Sequence, residues 1–312
     1  MALRDIKEKI ASVKKTAKVT KAMESVSAVK MRKAQVVALQ AREYAFFAFW
    51  ALKRLAQASG KDISQYFASQ NKTDGNKVAI VIVSSDKGLA GAMNTNLFKA
   101  FNSFVVDQGL SQEQISAITV GKKAFEFTKR YEYENLHHIT QLGEADELDV
   151  FSDISRQVMD LYATGEYKSV YVLHTKFITT TEQVPLVRQV LPITEQGLKG
   201  FISEIIPKKG KYADKAGEYD FDKKVSGDYK FEPDAETVFR NMIPYLVTTS
   251  LYYALLESNA SEHSARMVAM KNATDKAGEV AKDLKRTFNR QRQAAITREI
   301  SEITSGMETT QQ

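Results

Sequence analysis

The sequence predicts an α/β protein in which very long N- and C-terminal helices form an antiparallel two-helix coiled coil, with a separate central α/β domain between them in the chain. Three observations carry this. Residues 2–58 contain neither proline nor glycine, and from Asp234 to Ser305 only Pro244 and Gly278 interrupt a second such stretch. Both stretches space their apolar and small residues in alternating threes and fours, the 3.5-residue period of a helix–helix seam. Between them, β-branched runs alternate with amphipathic segments at the spacing of βα units. The division expected is an N-terminal helix over 1–60, a central domain over 61–233 and a C-terminal helix over 234–312.

Length makes the helices unusual. At the α-helical rise, stretches of roughly 56 and 70 residues span ~84 and ~105 Å, whereas a compact 150-residue domain is only ~30 Å across. Such helices project, and a projecting pair is a mechanical or docking element. The first seam runs Ile6, Ile10, Val13, Ala17, Thr20, Glu24, Ser27, Met31, Ala34, Ala38, Ala41, Ala45, Ala48, Leu52 and Leu55. Its middle is small, which lets two backbones approach closely. The second runs Leu246, Thr249, Tyr253, Leu256, Ala260, His263, Met267, Met270, Thr274, Ala277, Ala281, Leu284, Phe288, Gln291 and Ala295. The two seams pair most simply with each other; dimerisation with a second chain satisfies the same pattern.

The central domain opens after the polar linker 69–76. Val78–Val83 is a continuous apolar run of the kind a buried parallel strand requires. The loop Ser84–Asn94 leads into a helix over Thr95–Val106. A strand over Ile115–Val120, a turn at Gly121 and a helix over Lys122–Arg130 repeat the order. A helix over Leu148–Thr164 precedes a strand over Ser169–His174, and Gln183–Pro192 adds an extended hairpin strand. This alternation predicts a small, doubly wound, Rossmann-like sheet. Residues 197–230 break the pattern. Lys208–Lys230 holds seven lysines, five acids and three glycines without periodicity, and reads as an exposed charged insertion.

Charge and composition narrow the chemistry. The net charge is +6, but residues 1–33 carry ten basic side chains (Arg4, Lys7, Lys9, Lys14, Lys15, Lys18, Lys21, Lys30, Arg32, Lys33) against Asp5, Glu8 and Glu24. Such a strip either seeks an anionic partner (nucleic acid, a membrane surface, an acidic protein loop) or is simply a solvated helix face. It lacks the interleaved aromatics of a nucleic-acid surface. With no cysteine, disulfides, thiol catalysis and cysteine-ligated zinc are excluded. The opening Met-Ala-Leu-Arg-Asp-Ile-Lys resembles neither a signal core nor a transit peptide, and no run of 18 apolar residues appears. A cytoplasmic chain is the expectation, which leaves room for a place on a membrane complex.

Two constellations invite catalytic readings. Asp86-Lys87-Gly88-Leu89-Ala90-Gly91 follows a buried strand, where a phosphate cradle would sit. It matches neither dinucleotide nor P-loop spacing, so a tight strand-to-helix turn is the preferred reading. The histidines His137, His138, His174 and His263 have no metal-ligand spacing and read as packed or surface side chains. No nucleophile with a positioned base is apparent.

Three stretches together resemble one family, the gamma subunit of F-type ATP synthases. The first is Ile10-Ala11-Ser12-Val13-Lys14-Lys15-Thr16-Ala17-Lys18-Val19-Thr20-Lys21-Ala22-Met23-Glu24-Ser25-Val26; the second is Ser85–Gly91 with Asn94. The third and most specific is Glu257–Asp275, continued by Asn289–Ile300. Similarity runs over nearly the whole chain, with Ala90 where a cysteine is usual and with the insertion longer than in many bacterial relatives.

The resemblance implies a non-catalytic central-stalk shaft, without cofactor, metal or nucleotide of its own, whose coiled coil turns inside a ring of alpha and beta subunits. Its lower part would sit on the epsilon subunit and the membrane ring of c subunits, so membrane association comes only through the complex, and nucleic acid is not a partner. Proton flow would turn the shaft and drive the beta sites toward ATP synthesis. Carried over by position, Met23 falls where the shaft meets the acidic lever loop of a beta subunit. Arg292, Gln293 and Thr297 fall at the beta catch contacts, and Tyr229 and Glu232 at the foot that meets the c-ring. A basic coiled-coil adaptor on nucleic acid or anionic membrane is the alternative, and a phosphate-dependent enzyme built on Asp86–Gly91 a third. The insertion is expected to oppose reverse rotation, a role that deletion of 208–228 tests.

Overall fold

The computed structural model describes residues 3–58, 75–142, 147–194, 197, 200–201, 232 and 234–310. The elements run α1 (Leu3–Ala58), β1 (Lys77–Val83), α2 (Met93–Asp107), β2 (Ile115–Val120), α3 (Lys122–Arg130), β3 (Glu134–Ile139), α4 (Glu147–Ala163), β4 (Tyr167–Phe177), β5 (Gln183–Leu191) and α5 (Ala235–Thr310). The chain divides into two compact units, one formed by Met1–Ala28 and Arg266–Gln312, the other by Val29–Ala265. Apart from Gly197, Gly200 and Phe201, the charged insertion lies outside the described residues.

In the Val29–Ala265 unit the sheet order is β3-β2-β1-β4-β5. The first four strands are parallel, and β5 returns antiparallel to β4, from Phe177 opposite Gln183 to Val170 opposite Leu191. The apolar run of β1 is explained by burial on both faces. Val78, Ile80 and Ile82 join Ile115, Ala117 and Leu173 under Leu97 and Phe101 of α2 and Ala124 and Phe127 of α3. The alternate residues Ala79, Val81 and Val83 join Ile118, Val120, Val170 and Val172. That second face is covered by Phe151, Ile154 and Val158 of α4, Ala45, Phe46 and Leu52 of α1, and Leu246, Val247 and Leu251 of α5. The period-2 alternation of each strand thus sorts its side chains between two helical layers.

Strand β3 is the element that the sequence pattern does not announce. Glu134-Asn135-Leu136-His137-His138-Ile139 forms an edge strand, mostly exposed, and holds its place by pairing with β2. Neither apolar alternation nor strand propensity marks such a segment. Partly buried polar links help: Ser116 Oγ donates to Glu134 (2.6 Å) and Asn135 Nδ2 donates to Thr128 Oγ1 (2.9 Å).

In the other unit, the α1 stretch from Leu3 and the α5 stretch from Arg266 are joined by a bond between the Thr20 and Thr274 hydroxyls, 2.7 Å. An antiparallel register through that bond sets Val13 opposite Ala281, Ile10 opposite Leu284 and Ile6 opposite Phe288. Exposure follows it. From Met270 to Ala295 the predicted seam residues are all covered, wholly or in part, while beyond Ala295 every residue described to Ile303 is exposed. That is where the antiparallel register runs out of α1; a parallel one would place residues near 41 there. In α1, likewise, each seam member from Ile6 to Leu52 is at least partly covered.

Candidate functional site

Doubly wound sheets bind ligands at the carboxyl ends of their strands, where the strand order reverses. Here the reversal lies between β1 and β4, since β2 follows on one side of β1 and β4 on the other. The turn after β1 borders it, with Leu89 at φ +64° and Gly91 at φ +57°, the backbone freedom expected of a tight strand-to-helix turn. Its acid is already engaged. Asp86 accepts the Lys122 N–H through Oδ1 and the Gln141 N–H through Oδ2, both at 2.9 Å. The amide that the α3 N-terminus would offer an anion is therefore taken by a carboxylate. Ser84 Oγ accepts the Ala124 N–H (2.7 Å), and Asn94 Nδ2 donates to Ser85 Oγ (2.7 Å), tying the same turn to α3 and α2.

Helix α5 stands at the reversal itself. Strands β1 and β4 pair only as far as Ile82 and Leu173; β1 then turns away while β4 runs on to Phe177. The edge so uncovered meets side chains of α5. Ser258 Oγ accepts the Thr175 N–H (3.1 Å), and Ser261 Oγ donates to the Thr175 carbonyl (3.0 Å). Glu257 Oε2 accepts the Phe177 N–H (2.9 Å), its Oε1 being held by the Tyr253 hydroxyl (2.6 Å). Ser264 Oγ donates to the Thr180 carbonyl (2.7 Å). Beside them Ala90 and Met93 pack on Ala265. The neighbouring His174 is fully buried, and burial, reinforced by the charges of Arg188 and Lys176, holds its imidazole well below its ordinary pKa. Arg188 donates to the Ser250 hydroxyl (3.1 Å) and lies 4.1 Å over the Phe201 ring.

The expected contact residues fall in separate places. Met23 is half-buried on α1. Arg292, Gln293 and Thr297 come together on the exposed end of α5, where the Thr297 hydroxyl donates to the Gln293 carbonyl at 2.9 Å. Glu232 is exposed; Tyr229 lies outside the described residues. The sequence reading gave no role to Ile296, Ile300 and Ile303, which line the same helix end with 47%, 59% and 64% of their surface exposed. Their spacing of four and three is a helix stripe. Its signal was available in that spacing itself, on a helix stretch beyond Ala295 where no residue of α1 remains to cover any face. On α1, Lys14, Lys15 and Lys18 are exposed, and Lys21 pairs with Glu24 at 3.0 Å. No helix of the described residues is long and apolar enough to cross a membrane.

Comparisons with known proteins converge. The ATP synthase gamma chain of Verminephrobacter eiseniae is 40% identical over 304 residues, 97% of this chain and 96% of that protein. That of Variovorax paradoxus is 39% identical over the same share of each. Among solved structures, a chain of the Euglena gracilis mitochondrial ATP synthase rotor matches with a TM-score of 0.60 at 20% identity, covering 94% of this chain and 98% of that one. A chain of the Tetrahymena thermophila central stalk and c-ring gives 0.56 at 22%, covering 82% and 99%. At these identities the structural likeness speaks for the fold alone. A sequence model of the family described as ATP synthase spans residues 2–309, and with relatives matched end to end the chain belongs to the ATP synthase gamma chain family.

Proposed function

We infer that this chain is the central-stalk rotor subunit of a proton-translocating F-type ATP synthase, passing torque between the membrane c-ring and the catalytic beta subunits. It carries out no catalysis itself. Residues 1–60 and 234–312 act as the shaft and 61–233 as the central domain. Its partners are the alpha and beta subunits of the hexamer, the epsilon subunit and the c-ring, and it lies peripherally on the cytoplasmic side of a bacterial membrane. The observation that carries this is the end of α5: a helix that outruns its partner and presents Arg292, Gln293 and Thr297 beside an exposed isoleucine stripe. A polar cluster and an apolar stripe left open on one helix end suit a surrounding protein collar.

The basic strip of α1 suits acidic loops that it passes in turn. Exposed charge pairs are individually weak, ~0–1 kcal/mol, and so exchange readily. The reading as a basic adaptor for nucleic acid or anionic membrane rests on that strip alone. Within the rotor reading, Met23 meets the lever loop, Arg292, Gln293 and Thr297 meet the catch, and Tyr229 and Glu232 meet the c-ring.

The test is Arg292→Ala combined with Gln293→Ala in the reconstituted complex. ATP turnover or assembly should fall while the isolated subunit keeps its helical circular dichroism. Wild-type turnover by the double variant would remove the catch contact from the proposal.

A further inference from the structure

We propose that Glu257, Ser258, Ser261 and Ser264 form a grip through which helix α5 and the central sheet move as one body, making this side-chain ladder a torque-transmitting site. The proposal rests on the rotor reading and adds to it where force enters the helix. Beyond Leu173, strand β4 has lost β1 as a neighbour, and Thr175 and Phe177 turn their backbone groups toward α5. Buried amides and carbonyls need partners. A further strand would supply them, but α5 does so with side chains instead. Ser258 and Ser261 hold both backbone groups of Thr175, Glu257 holds Phe177, and Ser264 holds Thr180. Spaced by three and four residues, these groups lie on one face of the helix.

Two features distinguish this ladder from ordinary packing. Apolar contact is non-directional, so a helix resting on a sheet through leucines and valines can slide or roll at little cost. Hydrogen bonds fix both register and rotation, and one of these involves a carboxylate, which strengthens it. The four residues are also deeply placed, with Glu257 at 1%, Ser258 at 4% and Ser261 and Ser264 at 0% exposure, so water cannot readily take their place. Because α5 is a single helix from Ala235 to Thr310, a rotation imposed on it at this face is carried along its length.

The experiment uses the complete complex in sealed vesicles, with ATP hydrolysis and proton uptake measured together. The triple variant Ser258→Ala/Ser261→Ala/Ser264→Ala is compared with wild type and with Thr248→Ala. The last removes a hydroxyl that bonds the Pro244 carbonyl of its own helix. Thr248→Ala should pump as wild type. The triple variant should hydrolyse ATP with at least a twofold loss of protons moved per ATP. In addition, the Thr175 amide should exchange with solvent on the order of tenfold faster. Faster exchange with an unchanged pumping ratio would overturn the proposal. Should the triple variant fail to assemble, Ser264→Ala at the rim of the ladder decides: a wild-type ratio rejects the grip, a reduced one supports it. Failure of the wild-type chain to join the alpha and beta subunits would instead sink the rotor reading, leaving the exchange rates to judge the ladder.

Discussion

The pair of threonine hydroxyls between α1 and α5 makes a quantitative prediction about the shaft. Thr274 Oγ1 lies 2.8 Å from the Met270 carbonyl, to which it can only donate. Either hydroxyl can donate the 2.7 Å bond between Thr274 and Thr20. Thr20 has a second acceptor, the Ala17 carbonyl, at 3.2 Å. Replacing either threonine by valine therefore deletes the same single cross-helix bond, with a net value of ~1 kcal/mol. Thr20→Val and Thr274→Val should each cost about that, and the double variant about the same again rather than twice as much, a coupling of ~1 kcal/mol. The chain contains no cysteine, so a dye placed through Lys282→Cys, at an exposed position, reports on this unit alone during urea unfolding. A coupling below ~0.3 kcal/mol, the usual tolerance for independent sites, would refute the cross-helix bond and the register built on it.

Other expectations concern the sheet, for which Trp50, the single tryptophan and a partly buried neighbour of its core, is a native probe. Gly121 has φ +93°, and a Cβ there would run into the Ser84 backbone, so Gly121→Ala should cost ~3 kcal/mol. That corresponds to a fall in Tm on the order of 10 °C for a domain of this size; a shift within 2 °C, on that same scale, would contradict it. His174 has its folded pKa held below the ordinary 6.5, so the unfolded chain binds more protons as the solution turns acid. Stability is thus fully present above about pH 6.5 and declines below it, and His174→Leu should flatten that decline in urea titrations between pH 7 and 5. An unchanged slope would mean that other groups set the acid limit.

Much of the fold is legible in the sequence because its elements are extreme. Val78–Val83 is buried on both faces, and a strand in that position has no use for polar residues. The helix predicted over Lys122–Arg130 matches α3 end to end, since Gly121 supplies the positive φ that opens it and the lysine and arginine at its end suit the helix dipole. Strand β3 is illegible for the opposite reason. At an edge, pairing with one neighbour suffices, and Glu134, Asn135 and the two histidines are tolerated because most of them face water. At the end of α5, Arg292, Gln293 and Thr297 are singled out only by their match to family motifs. The isoleucines beside them could have been found from physics alone, because an apolar stripe on a helix that has outrun its partner must meet something else.

The ladder on α5 is hidden for a subtler reason. A 3.5-residue seam describes a helix covered along one stripe, and that description fits α5 beyond Met270, where from Thr274 to Ile303 only the seam residues are even partly shielded. Between Leu246 and Ala265 the helix is buried on almost every side, by the sheet as well as by other helices. An all-round buried helix ordinarily reads as continuous apolar sequence. Here three serines and a glutamate replace apolar residues on the side facing β4, and in a plain reading they look like the polar face of a surface helix. What distinguishes the two cases is the strand: β1 ends two residues too early to cover Thr175. A buried strand edge left open by its neighbour demands hydrogen-bonding side chains from whatever packs against it. Polar residues on a helix face can therefore mark the place where it grips a sheet, and the same four residues that weaken the amphipathic signal supply the directional bonds that an apolar face lacks.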